Sequence, residues 1–434
     1  MRLTILGGGG FRVPLVHAAL AADGAVDTVV LHDTDPTRVR SVKAVIDDSG
    51  ASGPRVLVED DLARAVSGAD FVFSAIRVGG LQGRAIDERT ALSEGVLGQE
   101  TVGAGGVCYG LRTVPVATTI AETVRDHAPD AWVINFTNPA GMVTEAMRRV
   151  LGDRVIGICD SPVGLFRRVA RALDVSMDAA WFDYAGLNHL GWLRRVLVDG
   201  HDRLPELLAD DRRLATFEEG RLFGPDWLRS LKAIPNEYLY YYYFTADAIA
   251  AIRAAGATRG EYLLQQQRNF YRASETAHPA ALWEQTRKER ETTYMAESRE
   301  ASGAGDRAVE DLDGGGYDRL AIALMRAIAN DERTTLVLNV GNRSAIRSLD
   351  ADAVVEVPCL VGRNGAQPIA TGDLDPAAAA LAATVKSCER ATIDAALAGS
   401  RSQAVSALAL HPLVDSVGTA ERIIGNHGLL DRFS

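Results

Sequence analysis

Apolar residues along the first 175 positions fall into two alternating spacings. Leu3 to Leu6 is a short apolar run that ends in Gly7-Gly8-Gly9-Gly10, after which Pro14, Leu15, Val16, Ala19 and Leu20 recur at helical spacing. This predicts a strand, a glycine turn and a helix. Residues 28–32 form a β-branched run closed by Asp33, and Asp35-Pro36 supplies an N-cap and a first helical residue for the next helix. Strands are predicted over 55–59 and 70–75, separated by a helix over 62–66, and two more over 131–136 and 155–159. Strands and helices alternating at this length predict an α/β fold, a six-strand doubly wound parallel sheet of Rossmann type.

The stretch 77–110 is rich in glycine and polar side chains with weak periodicity, so it reads mostly as loop and short helix at the carboxyl ends of strands, where ligands of such sheets bind. Beyond residue 175 the pattern changes. Antiparallel strands are predicted over 181–187 and 193–198, then helices over 236–253 and 261–273. The charged stretch 280–300 reads as a solvated helix or a mobile excursion rather than a binding patch. Gly314-Gly315-Gly316 breaks the helices before one over 317–330, strands follow over 334–340 and 353–361, and Ala-rich helices over 376–398 and 404–410 close the chain. The expected division is a nucleotide-binding Rossmann domain over 1–175 and an α+β domain for catalysis, substrate and oligomer contacts over 176–434.

Composition narrows the partner. A net charge of -11, from 57 acidic and 46 basic residues spread along the chain, disfavours nucleic acid and leaves no basic tract for a membrane surface. No run approaches the roughly 18 to 20 apolar residues of a membrane span, and a strand begins at once with no signal segment, so a cytoplasmic protein acting on a small molecule is expected. Cys108, Cys159, Cys359 and Cys388 lie far apart without paired spacing, as in a reducing compartment.

The residues that carry chemistry cluster at strand ends. Gly7, Gly9 and Gly10 sit where backbone N–H groups and a helix N-terminus receive a pyrophosphate, and Asp33 is placed for the ribose hydroxyls of NAD. Arg12 stands where the fingerprint has its third glycine. Asn135 and Asn138, in Asn135-Phe136-Thr137-Asn138-Pro139, project toward the same crevice, although amides also tie down turns before proline. Cys159 ends the sixth strand and His189 follows in Gly186-Leu187-Asn188-His189-Leu190; each alone suits a core residue, and together they supply half of a metal's ligands. Five tyrosines between Tyr238 and Tyr243 are core and interface packing for the most part, but one at the helix start is placed to present its hydroxyl to a substrate.

Taken together, the glycine turn, Gly83-Arg84 with Asp87-Glu88, Gly98-Gln99-Glu100-Thr101, 135–139, Cys159, Asn188-His189, Tyr238-Leu239-x-Tyr241-Tyr242 and Val357-Pro358-Cys359 resemble the family 4 glycoside hydrolases over nearly the whole chain. The resemblance implies NAD on the Rossmann domain, a divalent metal, usually Mn2+, on Cys159 and His189, and a C-terminal part like that of lactate and malate dehydrogenases. It implies Tyr238 as proton acceptor, Glu100 as the carboxylate that raises its basicity, Asp160 as an acid for the leaving group, and Arg84, Asn138, Asn188 and Arg259 as substrate-binding positions. The implied reaction is hydrolysis of a 6-phospho-glycoside, with β-glucosides favoured. It runs by NAD-dependent oxidation at C3, metal-assisted deprotonation at C2, elimination and addition of water, in a homodimer or homotetramer. Such a route stands apart from two-carboxylate glycoside hydrolysis. Asp160-Ser161-Pro162 replaces the Asn-Val-Pro of β-type relatives, and Gly10-Phe11-Arg12 lacks the serine that often follows the third glycine, in a region near the charged end of the sugar.

Overall fold

The computed structural model describes residues 1–50, 52–275, 277–307 and 316–433. Among them, β1 (Arg2–Leu6), β2 (Thr28–His32), β3 (Arg55–Val58), β4 (Phe71–Ser74), β5 (Trp132–Asn135) and β6 (Val155–Gly157) pair in parallel in the order β3-β2-β1-β4-β5-β6, the doubly wound order the sequence predicts. Both faces are covered. Leu3, Ile5, Leu31, Phe73, Ile134 and Ile156 pack into the main core on one side, while Leu6, Val72, Val133 and Val155 pack into a second cluster on the other. Burial on both faces is why these strands read as continuous apolar runs rather than as alternation.

The sheet does not stop at residue 175. β7 (Ala180–Leu187), β8 (Leu190–Val198), β9 (His201–Asp202), β10 (Ile234–Pro235), β11 (Thr334–Gly341), β12 (Val354–Gly362) and β13 (Gly365–Pro368) are antiparallel, and β11 joins β6 at Asn339 and Gly157. One sheet therefore runs from the parallel half into the antiparallel half, continuing β6-β11-β12-β7-β8-β10. Gly314 and Gly315 lie outside the described residues; Gly316 sits at the start of the helix Tyr317–Asn330. No described helix is long and apolar enough to cross a membrane.

Two readings need correction. The stretch 77–110 is mainly helix, with Gly80–Ser93 followed by the start of the long helix Ala104–His127. Its glycines serve close packing rather than looseness: a Cβ on Gly98 would lie 2.1 Å from the Glu88 carbonyl, one on Gly105 2.0 Å from that of Gln99, and one on Gly110 2.3 Å from the Met142 sulfur. The segment 236–253 is not one helix. A 3-10 turn (Glu237–Leu239), a single helical turn (Tyr240–Tyr243) and the helix Thr245–Ala254 replace it, broken at Phe244 with φ -127 and ψ 43. Asn236 caps the 3-10 turn by accepting from the Tyr238 N–H, which holds Tyr238 at the end of β10 instead of on a regular helix face.

Buried ion pairs lock the helix Gly80–Ser93 in place. Arg84 Nε donates to Glu88 Oε1 at 2.7 Å, and Glu88 Oε2 accepts from the Gly260 N–H at 2.6 Å, at the start of the helix Arg259–Ala273. On the same helix Asp87 accepts from Arg112 and approaches His427 Nε2 at 2.7 Å, so the C-terminal segment is tied to it as well. At the carboxyl end of the neighbouring β1, Gly7 has φ +84, and a Cβ there would lie 2.5 Å from the Ala75 carbonyl oxygen. Only glycine fits. Gly7→Ala is expected to lower stability by about 2 kcal/mol or more, read as a Tm lower by several degrees. Glu88→Ala leaves the buried Arg84 with Glu100 alone and strands the buried Gly260 N–H, and chemical denaturation is expected to show a loss of about 2–3 kcal/mol.

Candidate active site

Two cavities meet at the carboxyl ends of β1, β4, β5 and β6. The larger, about 520 Å3, is lined by Gly7, Gly10, Asp33, Ile76, Asn138 and Arg290 among others. Gly7 and Gly8 donate their N–H groups to the His32 carbonyl at 2.9 and 2.8 Å, which folds the glycine turn over the end of β2. Gly9 lies behind this wall: its N–H donates to Asp33 Oδ2 at 3.0 Å, and its carbonyl accepts from the Tyr271 hydroxyl at 2.7 Å. Asp33 is thereby oriented at the cavity edge, with its other oxygen accepting from the Asp35 N–H. The helix Val13–Asp23 starts directly beyond the turn.

The smaller cavity, about 200 Å3, is lined by Arg84, Glu100, Asn138, Cys159, Asp160, His189, Tyr238 and Arg259, which sequence reasoning singled out, together with Glu237, Arg290 and Tyr294, which it did not. Arg12, Arg77, Asn138 and Arg290 line both cavities, so the two adjoin. The peptide between Asn138 and Pro139 is cis.

His189 and Tyr238 stack with ring centroids 3.7 Å apart and planes within 3° of parallel. His189 reaches this position from the β7–β8 turn with φ +60. Burial pushes its imidazole down to about 4, so the ring is neutral through the physiological range. The Tyr238 hydroxyl accepts from the Tyr294 hydroxyl at 2.9 Å. Burial, then the charge of Glu237, pushes the Tyr238 hydroxyl well above an ordinary tyrosine, and the Tyr294 donor acts in the opposite direction. Burial, then the charges of Glu356 and Asp160, likewise pushes the Cys159 thiol well up.

Glu100 is held by two guanidinium groups, Arg77 and Arg84, the latter at 2.7 Å. Burial would raise its carboxyl, but these cations overcome it and hold it at about 2, so Glu100 is a fixed anion in the cavity wall. Asp160 faces Arg12 at 3.9 Å. Arg259 donates to Thr293 Oγ1 and to the Arg290 carbonyl, both at 2.7 Å and both neutral. Burial, then the charge of Arg12, depresses the Arg290 guanidinium to about 9, and its nearest carboxylate among the described residues, Glu291, stands 3.9 Å away. The cavity thus carries positive charge that its own carboxylates do not match closely.

Two predicted residues sit elsewhere. Asn135 is fully buried in its own turn: its amide donates to the Thr137 and Ala140 carbonyls and to Thr144 Oγ1, and it accepts from the Thr137 N–H, so it shapes the loop that carries Asn138 and lines neither cavity. Asn188 lines only a third space of about 30 Å3, and its amide donates at 3.1 Å to Glu356, which also accepts from Tyr184 and Asn339. The charged stretch 280–300 departs from its reading in the other direction. It forms the helices Pro279–Thr292 and Ala296–Ser302, and Arg290, Glu291 and Tyr294 close the cavity over Tyr238. The helical spacing of Trp283, Arg290 and Tyr294 among charges was the available signal. Glu237 is 5 % exposed, accepts from Ser161 Oγ at 2.8 Å and is pushed by burial up to about 7.

The model of the family 4 glycosyl hydrolases matches residues 2–175, and that of the family 4 glycosyl hydrolase C-terminal domain matches 184–414. A probable 6-phospho-beta-glucosidase of Bacillus subtilis is 36% identical over 373 residues, covering 84% of this chain and 79% of the relative. The structure of the 6-phospho-beta-glucosidase of Thermotoga maritima with manganese, NAD+ and glucose-6-phosphate superposes with a TM-score of 0.84 at 28% identity, over 100% of this chain and 98% of that one. A 6-phospho-alpha-glucosidase from gut microorganisms, in complex with NAD and Mn2+, gives 0.79 at 26% identity over 99% and 98%. Malate dehydrogenase of Plasmodium falciparum, at 12% identity and a TM-score of 0.51 over 94% and 99%, shares the fold alone. With both halves matched in order along one continuous sheet, this chain belongs to family 4 of the glycosyl hydrolases.

Proposed function

We propose that this protein hydrolyses 6-phospho-glucosides, with the β anomer preferred, using NAD and a divalent metal, manganese foremost. The observation that carries the reading is the junction of the two cavities, where a glycine turn and Asp33 on one side face Cys159, His189 and Tyr238 on the other across Arg12, Asn138 and Arg290. Residues 1–175 serve as the nucleotide unit and 176–434 as the catalytic and substrate unit.

The residues suit both groups. The glycine turn gives close backbone approach next to a helix N-terminus, and backbone N–H groups fix both carboxylate oxygens of Asp33 at the cavity edge, where their remaining lone pairs suit ribose hydroxyls. A thiol raised by burial becomes a thiolate only beside a cation, and Cys159 shares its cavity with the neutral ring of His189. Two protein ligands leave positions for substrate oxygens. When bound, NAD accepts and returns a hydride while the metal polarises the neighbouring sugar oxygens.

The chain's own groups supply the rest. Asn138 and Arg84 reach sugar hydroxyls. Tyr238 removes the C2 proton, its oxygen steadied by the Tyr294 donor and its ring by His189. Glu100, ionised between two arginines, favours keeping that proton in the site, and Asp160 protonates the departing oxygen. Arg259, which donates to neutral oxygens, and Arg290 place positive charge where a 6-phosphate would pair with it. Asn188 binds Glu356, which also holds Asn339 on β11, the strand that pairs with β6 just before Cys159. The β preference draws support from the B. subtilis relative at 36% identity, and Asp160 is the residue that argues for testing it directly.

Hydrolysis of a 4-nitrophenyl 6-phospho-β-glucoside is expected to require NAD, manganese and a reductant together, and full activity after exhaustive chelation and NAD removal would refute the reading. A panel of α and β glucosides with and without the 6-phosphate reads the anomer and the anion in one assay. Tyr238→Phe is expected to lower kcat by about 100-fold or more. In heavy water the wild-type product is expected to carry deuterium at C2.

A further inference from the structure

A histidine that gives one ring nitrogen to a metal keeps its proton on the other, and the hydrogen bonds around the Gln99 side chain bear on which. Gln99 Oε1 accepts from the Thr101 N–H at 2.6 Å and from the Val102 N–H at 2.8 Å, which fixes that atom as the amide oxygen. The Thr101 hydroxyl lies 3.2 Å from the same oxygen and 2.8 Å from His189 Nδ1. An amide oxygen has no hydrogen to give, so the hydrogen in the first contact is the hydroxyl's. A hydroxyl has one hydrogen. Both contacts are hydrogen bonds only if His189 Nδ1–H donates to Thr101 Oγ1; the reverse arrangement leaves two oxygen lone pairs facing each other at 3.2 Å.

We infer that Gln99 and Thr101 are positioning residues that hold the proton of His189 on Nδ1 and so leave Nε2 as the bare nitrogen for a metal. The inference rests on His189 being the ligand proposed above. It gives the Gln99-Glu100-Thr101 segment two tasks: Glu100 holds the arginines of the cavity wall, and its two neighbours hold the histidine. Backbone geometry makes the arrangement stiff, because the Gln99 oxygen is tied to the segment's own N–H groups and the Gln99 carbonyl lies against Gly105, with no room for a Cβ at the start of the helix Ala104–His127. A metal ligand fixed through its other nitrogen by a neutral acceptor is preorganised in ring orientation as well as in tautomer.

The test needs no turnover. Long-range 1H–15N correlation spectra of the metal-free protein labelled on histidine nitrogen, with His189→Asn to assign the signals, are expected to show His189 as the Nδ1–H tautomer. Observation of the Nε2–H form would overturn the inference. Thr101→Val, close in shape but without the hydroxyl, is expected to shift His189 toward a tautomer mixture and to weaken manganese binding by about 10- to 100-fold, read by electron paramagnetic resonance. Thr101→Ser restores the hydroxyl and is expected to recover both readouts. A correct tautomer that does not respond to Thr101→Val would refute the relay. A tautomer that responds while manganese binding does not would place the failure with His189 as ligand and not with the relay.

Discussion

The chain of buried charge Arg77–Glu100–Arg84–Glu88, ending on the Gly260 N–H, is the interaction on which the rest of the site depends. It crosses three separate pieces of sequence: the end of β4, the helix Gly80–Ser93 with the turn after it, and the start of the helix Arg259–Ala273. Each carboxylate oxygen used in it meets a donor, and the chain as a whole is neutral, which is the condition under which buried ions hold a structure instead of weakening it. Because Glu100 is spent on two guanidinium groups it cannot rotate toward a third partner, and it places a constant negative charge in the wall of the cavity that contains Tyr238. The same segment continues into Thr101, so the charged chain and the histidine contact share one short stretch of backbone.

Two halves of different construction meet at this point. The parallel strands bury both faces and present their carboxyl ends, with the glycine turn and Asp33, to the larger cavity. The antiparallel strands bring His189 on a left-handed turn and Tyr238 at the end of β10. β6 belongs to the parallel sheet by its pairing with β5 and to the antiparallel sheet by its contact with β11, and Cys159 lies just past its end. Residues from both architectures face one space because the sheet is continuous across the chain midpoint; two separately packed domains would leave the approach of Cys159 to His189 to a hinge.

Electrostatic roles divide cleanly between paired and unpaired groups. Arg168 is paired with Glu219 and Arg84 with two glutamates, so neither adds unbalanced charge to the cavity. Arg259 donates to neutral oxygens and, among the described residues, Arg290 has no carboxylate closer than 3.9 Å, so the balance at the junction of the cavities is positive although the chain as a whole is acidic. Net charge describes the surface that solvent and macromolecules meet; the local imbalance describes what the cavity attracts.

Sequence by itself determined the parallel half, because a strand buried on both faces needs an unbroken apolar run and a turn such as Gly7 tolerates no side chain, and both demands are local. It also brought out Cys159, His189 and Tyr238 as chemistry-bearing residues in ordered motifs. Tertiary structure decided the rest. Glycines at 98, 105 and 110 look like a loop in one dimension and are points of close approach in three: Gly98 to a helix carbonyl, Gly105 to the turn before its own helix and Gly110 to the next helix. The charged run 280–300 looks solvated until Arg290 and Tyr294 are seen against Tyr238. Asn135 and Asn188 have the side chains of ligand-binding residues but are claimed by their own turn and by Glu356. In each case the deciding partner lies far away in the chain, and spacing along a sequence carries information about neighbours within a few turns, not about which distant donor or carboxylate a polar group will meet.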